Sequence, residues 1–67
     1  MVSQDERIRQ QVLQIAAAFG ETSIDCSVLE GRVLLEGVVS SDEQSYQLEA
    51  AVRQLPGVQS VDNQLAT

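Results

Sequence analysis

The side chains of this chain that could take part in chemistry are mostly carboxylates. Ten acidic residues stand against four arginines, and the 67 residues include one cysteine, one tyrosine and no histidine. Without a histidine to act as the general base, neither a Ser-His-Asp nor a Cys-His nucleophilic site can form within the chain. A pair of carboxylates stays open as a catalytic alternative, but so small a core should have no pocket of ordinary ligand size. We therefore expect a protein that is not an enzyme and that binds no cofactor.

The single cysteine, Cys26, has no second thiol with which to form an internal disulfide, and no cluster of His and Cys could hold structural zinc. Ile24, Cys26 and Val28 alternate with Asp25 and Ser27, which predicts a position for Cys26 on the core side of a strand. Because no histidine or lysine is present to lower its pKa, we expect a buried structural thiol rather than a reactive one.

The acidic residues are spread along the chain and lack the spacing of a calcium-binding loop. Solvated surface charge explains them better than a metal cage. A weak monovalent-cation site built from backbone carbonyls leaves no trace in a sequence, so this kind of ligand stays open as an alternative.

The net charge of −6 limits the classes of partner. Nucleic acids and anionic membranes both attract concentrated positive charge, so we expect neither as a partner. Cations and basic protein surfaces suit the charge better. The N-terminal stretch has no basic segment followed by an apolar one. This predicts a cytoplasmic location if the chain is complete, and the periplasm or envelope if it is a fragment of an exported protein.

An amphipathic helix is predicted from Asp5 to Phe19, with Ser3 or Asp5 as its N-terminal cap and Gly20 just after its end. The apolar side chains recur at spacings of three and four, at Ile8, Val12, Ile15, Ala16 and Phe19.

Two strands follow this helix. The alternating pattern from Ile24 to Val28 predicts a half-buried strand, and the β-branched residues from Arg32 to Val39 predict a second one. The turn signal Glu30-Gly31 between them predicts an antiparallel hairpin.

A second helix begins directly after the second strand. Ser40 with Glu43, or Ser41 with Gln44, fits the capping box that opens a helix. The sequence Pro56-Gly57 ends this helix. Its apolar stripe consists of Leu48, Ala51, Val52 and Leu55, with Tyr46 near its start.

The residues from Val58 to Leu65 predict a third strand. We expect a bulge in it, because Val58 and Val61 differ in parity. Asn63 has the same parity as Val61 and Leu65, so its side chain is expected to face inward with theirs and make a structural hydrogen bond.

These elements predict an α+β fold, an αββαβ two-layer sandwich. A three-stranded mixed sheet has both helices on one face, and a right-handed crossover makes the third strand parallel to the second. The favoured strand order is 1-2-3; the alternative places strand one in the middle. The 67 residues make a single domain, with a core from about residue 5 to residue 65.

The second strand presents two different sides. Val33, Leu35 and Val39 share the side of Gly37, where we expect the glycine to let a helix approach closely. The opposite side is either a scatter of ordinary exposed hydrophobics or a surface for a partner or for self-association. The predicted partner surface consists of Leu29, Leu34, Glu36 and Val38. The positions predicted to be structural are Gly31, Gly37, Ser40, Ser41, Pro56, Gly57 and Asn63.

Three segments together resemble the BON domain, a family named for bacterial osmotically induced and nodulation proteins. They are the charged helix DERIRQQVLQIAAAFG, the strand and joint GRVLLEGVVSSDEQ, and the ending LPGVQSVDNQL. The resemblance covers the chain from about Asp5 to Leu65. It implies the αββαβ fold and a non-enzymatic binding or scaffolding module.

Three functional hypotheses follow. The first is a BON-like module that acts through protein–protein contacts or self-association. The second is a small-ion binding or sensing module of the potassium type, suggested by the acidic charge and by the potassium-binding members that the resemblance brings with it. The third is a phospholipid-associated module of an envelope protein, which the resemblance also implies.

Overall fold

The computed structural model describes residues 3–67 and shows the predicted order of elements. Met1 and Val2, which belong to the predicted domain of residues 1–67, lie outside the described residues. The α+β class and the αββαβ order are confirmed. The elements are α1 (Gln4–Ala18), β1 (Ile24–Leu29), β2 (Arg32–Val38), α2 (Asp42–Arg53) and β3 (Ser60–Ala66).

The three strands form one sheet in the order β1-β2-β3, which confirms the favoured order over its alternative. β1 and β2 are antiparallel, because only the two residues Glu30 and Gly31 separate them. β2 and β3 are parallel, because α2 carries the chain back across the sheet before β3 begins. Both free edges of the sheet therefore belong to the outer strands β1 and β3.

The hairpin turn depends on an acid from the first helix. Glu30 and Gly31 both have positive φ, 52° and 82°, as a two-residue turn with the right-handed twist of the strands requires. A side chain at Gly31 would place its Cβ 2.6 Å from the carbonyl oxygen of Gly57, so only glycine fits. The Asp5 carboxylate accepts hydrogen bonds from the backbone N–H groups of Glu30 and Gly31, at 2.9 and 3.2 Å. Asp5 thus ties the start of α1 to the turn.

The two helices begin at serine caps. Ser3 Oγ accepts from the N–H of Glu6, and Ser41 Oγ accepts from the N–H of Gln44. The second cap decides between the two predicted capping boxes: Ser41 caps α2, and the prediction for Ser40 was wrong, because its hydroxyl is bonded elsewhere.

The predicted bulge in the third strand was wrong. Each β3 residue from Ser60 to Ala66 pairs with one residue of β2 without interruption. Val58 precedes the strand, so its parity places no constraint on the pairing with Val61.

The core lies between the helices and one side of the sheet. Leu35 and Leu48 are fully buried, and Val33 of β2 and Val39, which directly follows β2, are nearly so. Both helices contribute to the same cluster, so they cover the same sheet side. The buried cluster consists of Ile8, Val12, Ala16, Cys26, Val33, Leu35, Leu48 and Val52.

Gly37 has a different neighbour from the one predicted. A side chain here would overlap the carbonyl oxygen of Ser23, next to β1, and the φ of 124° is one that other residues rarely adopt. The expectation of a closely approaching helix was therefore wrong. The close contact is with the neighbouring backbone, where Ser23 also accepts from the N–H of Val38 at 3.1 Å.

Candidate interaction surface

The side of the sheet that faces away from both helices is called here the open face. It is made of the alternate strand residues that do not enter the core. Its members are Asp25, Ser27 and Leu29 of β1, Arg32, Leu34, Glu36 and Val38 of β2, and Ser60, Asp62, Gln64 and Ala66 of β3.

Hydrophobic side chains lie along the open face. Leu29 is 68% exposed and Val38 is 54% exposed, whereas Leu34 is half-buried at the centre of the middle strand. The structure thus places Leu29 on the same side as Leu34, because the two-residue turn pairs Leu29 with Arg32. All four residues of the predicted partner surface, Glu36 included, lie on this face.

A shallow depression of about 340 Å³ lies at the end of the open face near the hairpin turn. Its walls come from all three strands, and it lies between the hydrophobic groups of Leu29 and Leu34 and the polar groups of β3. The lining residues are Ser27, Val28, Leu29, Arg32, Val33, Leu34, Ser60 and Asp62. A depression of this kind can receive a single aliphatic side chain.

The two free edges of the sheet are less available than this face. The strand registers direct the N–H groups of Cys26 and Leu65 away from β2, toward the free edges. Each donates to a local acceptor: the N–H of Cys26 to Asp25 Oδ1 at 2.8 Å, and the N–H of Leu65 to Asn63 Oδ1 at 3.0 Å. An extended strand that added to either edge would have to displace such a bond.

Asn63 holds α2 against β3. Its Nδ2 donates to Ser45 Oγ at 2.9 Å and to Glu49 Oε1 at 3.0 Å, and Glu49 also pairs with Arg53 at 2.7 Å. The inward-facing hydrogen bond predicted for Asn63 is thus present. Within residues 3–67, every buried side-chain nitrogen or oxygen has a hydrogen-bond partner.

A second polar contact was not predicted from the sequence. Glu21, which is 8% exposed, accepts from the hydroxyl of Ser40 at 2.9 Å and from its N–H at 3.2 Å. These bonds favour the carboxylate and lower the pKa of Glu21. Glu21 follows α1 and Ser40 follows β2, and their separation of 19 residues leaves no local sequence signal. The contact joins the end of α1 to the joint before α2.

Cys26 is buried, as the alternation of its strand predicted. Burial raises the pKa of its thiol to about 11, so the thiolate is scarce at neutral pH.

Pro56 and Gly57 lie in the turn between α2 and β3. A side chain at Gly57 would contact the Gln4 side chain of α1, so this turn packs close to the start of the chain's first helix.

Among residues 3–67, no three His, Cys, Asp or Glu side chains come together in a group that could hold a metal ion. In the same range, neither helix has the length and apolar character needed to cross a membrane. The open face is the surface on which the exposed hydrophobic groups of the sheet are concentrated.

Comparison with known proteins identifies the family. The family model described as the BON domain matches residues 4–67, which is nearly the whole chain. A comparison with curated proteins found no match.

Proposed function

The chain belongs to the BON domain family, whose members are binding and scaffolding modules, and on that premise we propose that it is a non-catalytic module that makes protein–protein contacts through the open face of its sheet. The observation that carries this proposal is the unequal use of the two sheet sides. One side is covered by both helices, and the other displays Leu29, Leu34 and Val38, of which Leu29 and Leu34 line a shallow depression.

A small domain gains stability when it buries more apolar area, and this favours contact at such a surface. The depression suits an inserted aliphatic side chain, because Leu29 and Leu34 form its apolar part. The hydrogen-bonded N–H groups of Cys26 and Leu65 at the sheet edges support contact at the face over strand addition, because an added strand would have to displace those bonds.

Site-specific photo-cross-linking tests this proposal in cells that produce the chain. A photoreactive residue replaces Val38 on the open face in one variant and Tyr46 in the matched control. Tyr46 is 71% exposed and lies on α2, away from the open face. We expect a cross-linked protein adduct from position 38, absent from position 46, and lost when Leu34→Glu is added to the same chain.

Adducts of equal yield from both positions, or from position 46 alone, would contradict the proposal. The mass of the adduct also identifies self-association, since a second copy doubles the mass of the chain. Sedimentation of the purified protein checks that outcome, because self-association through this face should be weakened by Leu34→Glu.

A further inference from the structure

The open face has three carboxylates near its apolar centre. Asp25 pairs directly with Glu36 in the antiparallel register, and Asp62 pairs with Leu34 in the parallel one. The face has a single cation, Arg32, which lies at the turn end opposite Leu29. Three negative side chains and one positive side chain thus share a surface whose middle is Leu34.

The register places the like-charged residues Asp25 and Glu36 directly opposite each other. Directly opposite side chains on one sheet face have Cβ atoms about 5 Å apart, and like charges in this arrangement are destabilising. Neither carboxylate belongs to an ion pair among residues 3–67. The two ion pairs of that range are both within helices, Arg9 with Glu6 and Arg53 with Glu49. A cation brought by a partner would relieve the repulsion.

The charges of the open face distinguish three candidate partners: a second copy of the chain, an anionic membrane and a basic polypeptide. A second copy stacked on the open face would bring its own Asp25, Glu36 and Asp62 against the same three groups. An anionic membrane surface would be repelled for the same reason. A basic polypeptide complements the face, because its cations meet carboxylates that belong to no ion pair among residues 3–67.

We propose that the open face binds a basic polypeptide segment, an inference that rests on the proposed function. An aliphatic side chain of the segment enters the depression beside Leu34. Arginine or lysine side chains next to it reach the Asp25–Glu36 pair and Asp62. The apolar contact provides the position, and the charges select a basic partner over an acidic one.

Amide chemical shifts of the labelled domain measure this binding. The probe is a short amidated peptide that alternates arginine with valine and threonine. One matched peptide carries glutamate in place of arginine, and another carries serine in place of valine. We expect the first peptide to shift amides of the β2 and β3 residues around Leu34, the glutamate peptide to shift none, and the serine peptide to bind more weakly.

A pair of double variants separates the face from the overall charge. Asp25→Asn with Glu36→Gln removes the carboxylate pair, and Asn keeps the oxygen that bonds the N–H of Cys26. Asp42→Asn with Glu43→Gln changes the net charge equally at exposed sites at the start of α2. We expect the first variant to raise the Kd for the arginine peptide at least about threefold, as the loss of exposed ion pairs implies, and the second to leave it nearly unchanged.

The single variant Glu36→Gln should change the stability of the domain and its peptide binding in opposite directions. Removing one of two repelling carboxylates should raise the melting temperature of the domain alone while it weakens peptide binding. Equal weakening in the two double variants would overturn the inference, because it would show general attraction to an acidic molecule. Shifts confined to the helices, or a melting temperature lowered by Glu36→Gln, would also overturn it.

The inference and the proposed function fail separately. If position 38 cross-links to a protein but the arginine peptide does not bind, the open face contacts a partner that is not basic. Only this inference then falls. A cross-linked adduct of twice the chain mass would assign the face to a second copy. If cross-linking occurs from position 46 alone, the proposed function itself falls.

Discussion

The covered side and the open side of the same sheet differ in what their side chains do. On β2, Leu35 is fully buried beneath the helices, whereas its neighbour Leu34 lies half-buried on the open face. The two leucines have the same chemistry and adjacent positions, yet only the first belongs to the closed core. Residue type alone therefore does not distinguish a stabilising group from one that is available for contact, and strand parity does.

The two sides of the sheet also differ in the partners that their polar side chains have. On the covered side Asn63 is bonded to Ser45 and Glu49. On the open face Asp25 lies opposite Glu36, and neither carboxylate forms an ion pair within the described part of the chain. The polar groups of the covered side thus stabilise the isolated domain, whereas the open face contains a pair of like charges that does not.

The largest expected effect comes from truncating the two adjacent leucines of β2. Leu35→Ala should lower the free energy of unfolding by about 3 kcal/mol, because it leaves a cavity in the closed core. Leu34→Ala should cost about 1 kcal/mol or less, because water can replace the lost group. Urea unfolding of both variants measures the difference. Equal losses would mean that the open face is as much a part of the core as the covered side.

A somewhat smaller effect is expected at Gly37. Gly37→Ala should lower the free energy of unfolding by about 2 kcal/mol, because its φ is strained for alanine and the new methyl group meets the carbonyl of Ser23. Thermal unfolding checks the loss. A stable Gly37→Ala variant would show that the β1 backbone can move away, and that the close approach does not constrain the sheet.

The polar contacts provide the third comparison. Asn63→Ala should cost about 1 to 2 kcal/mol, because it leaves the buried Ser45 hydroxyl without its donor and the N–H of Leu65 without its acceptor. The neighbouring variant Gln64→Ala on the open face should change stability by about 0.5 kcal/mol or less. Chemical denaturation of this pair tests whether polar groups stabilise only the covered side.

The smallest effect concerns pH and the contact at Glu21. Its pKa is lower in the folded protein than the ordinary value of 4.5, so the ionised group contributes stability above about pH 4.5. That contribution is lost as the pH falls through the lowered folded pKa. Melting curves from neutral to acidic pH should fall less steeply for Glu21→Gln than for the natural chain. Parallel curves would show that the bonds to Ser40 do not favour the carboxylate.

Much of the fold was predictable because its signals are local. The apolar spacing in α1, the two-residue turn at Glu30-Gly31 and the Ser41 cap each involve residues a few positions apart. The parity of β2 also separated Leu35 from Leu34 correctly. The bulge was wrong because Val58 was included in the strand, and the capping role of Ser40 was wrong because its true partner, Glu21, is distant in the sequence.

The sequence by itself determined the order of elements, the side of each strand that enters the core, and the acidic character that disfavours anionic partners. These properties follow from short-range periodicity and from composition. Only the tertiary structure decided that Asp5 holds the hairpin turn, that Ser23 limits Gly37, and that Asp25 lies opposite Glu36. Such pairings depend on strand register and helix packing, which bring distant residues together and which no local pattern specifies.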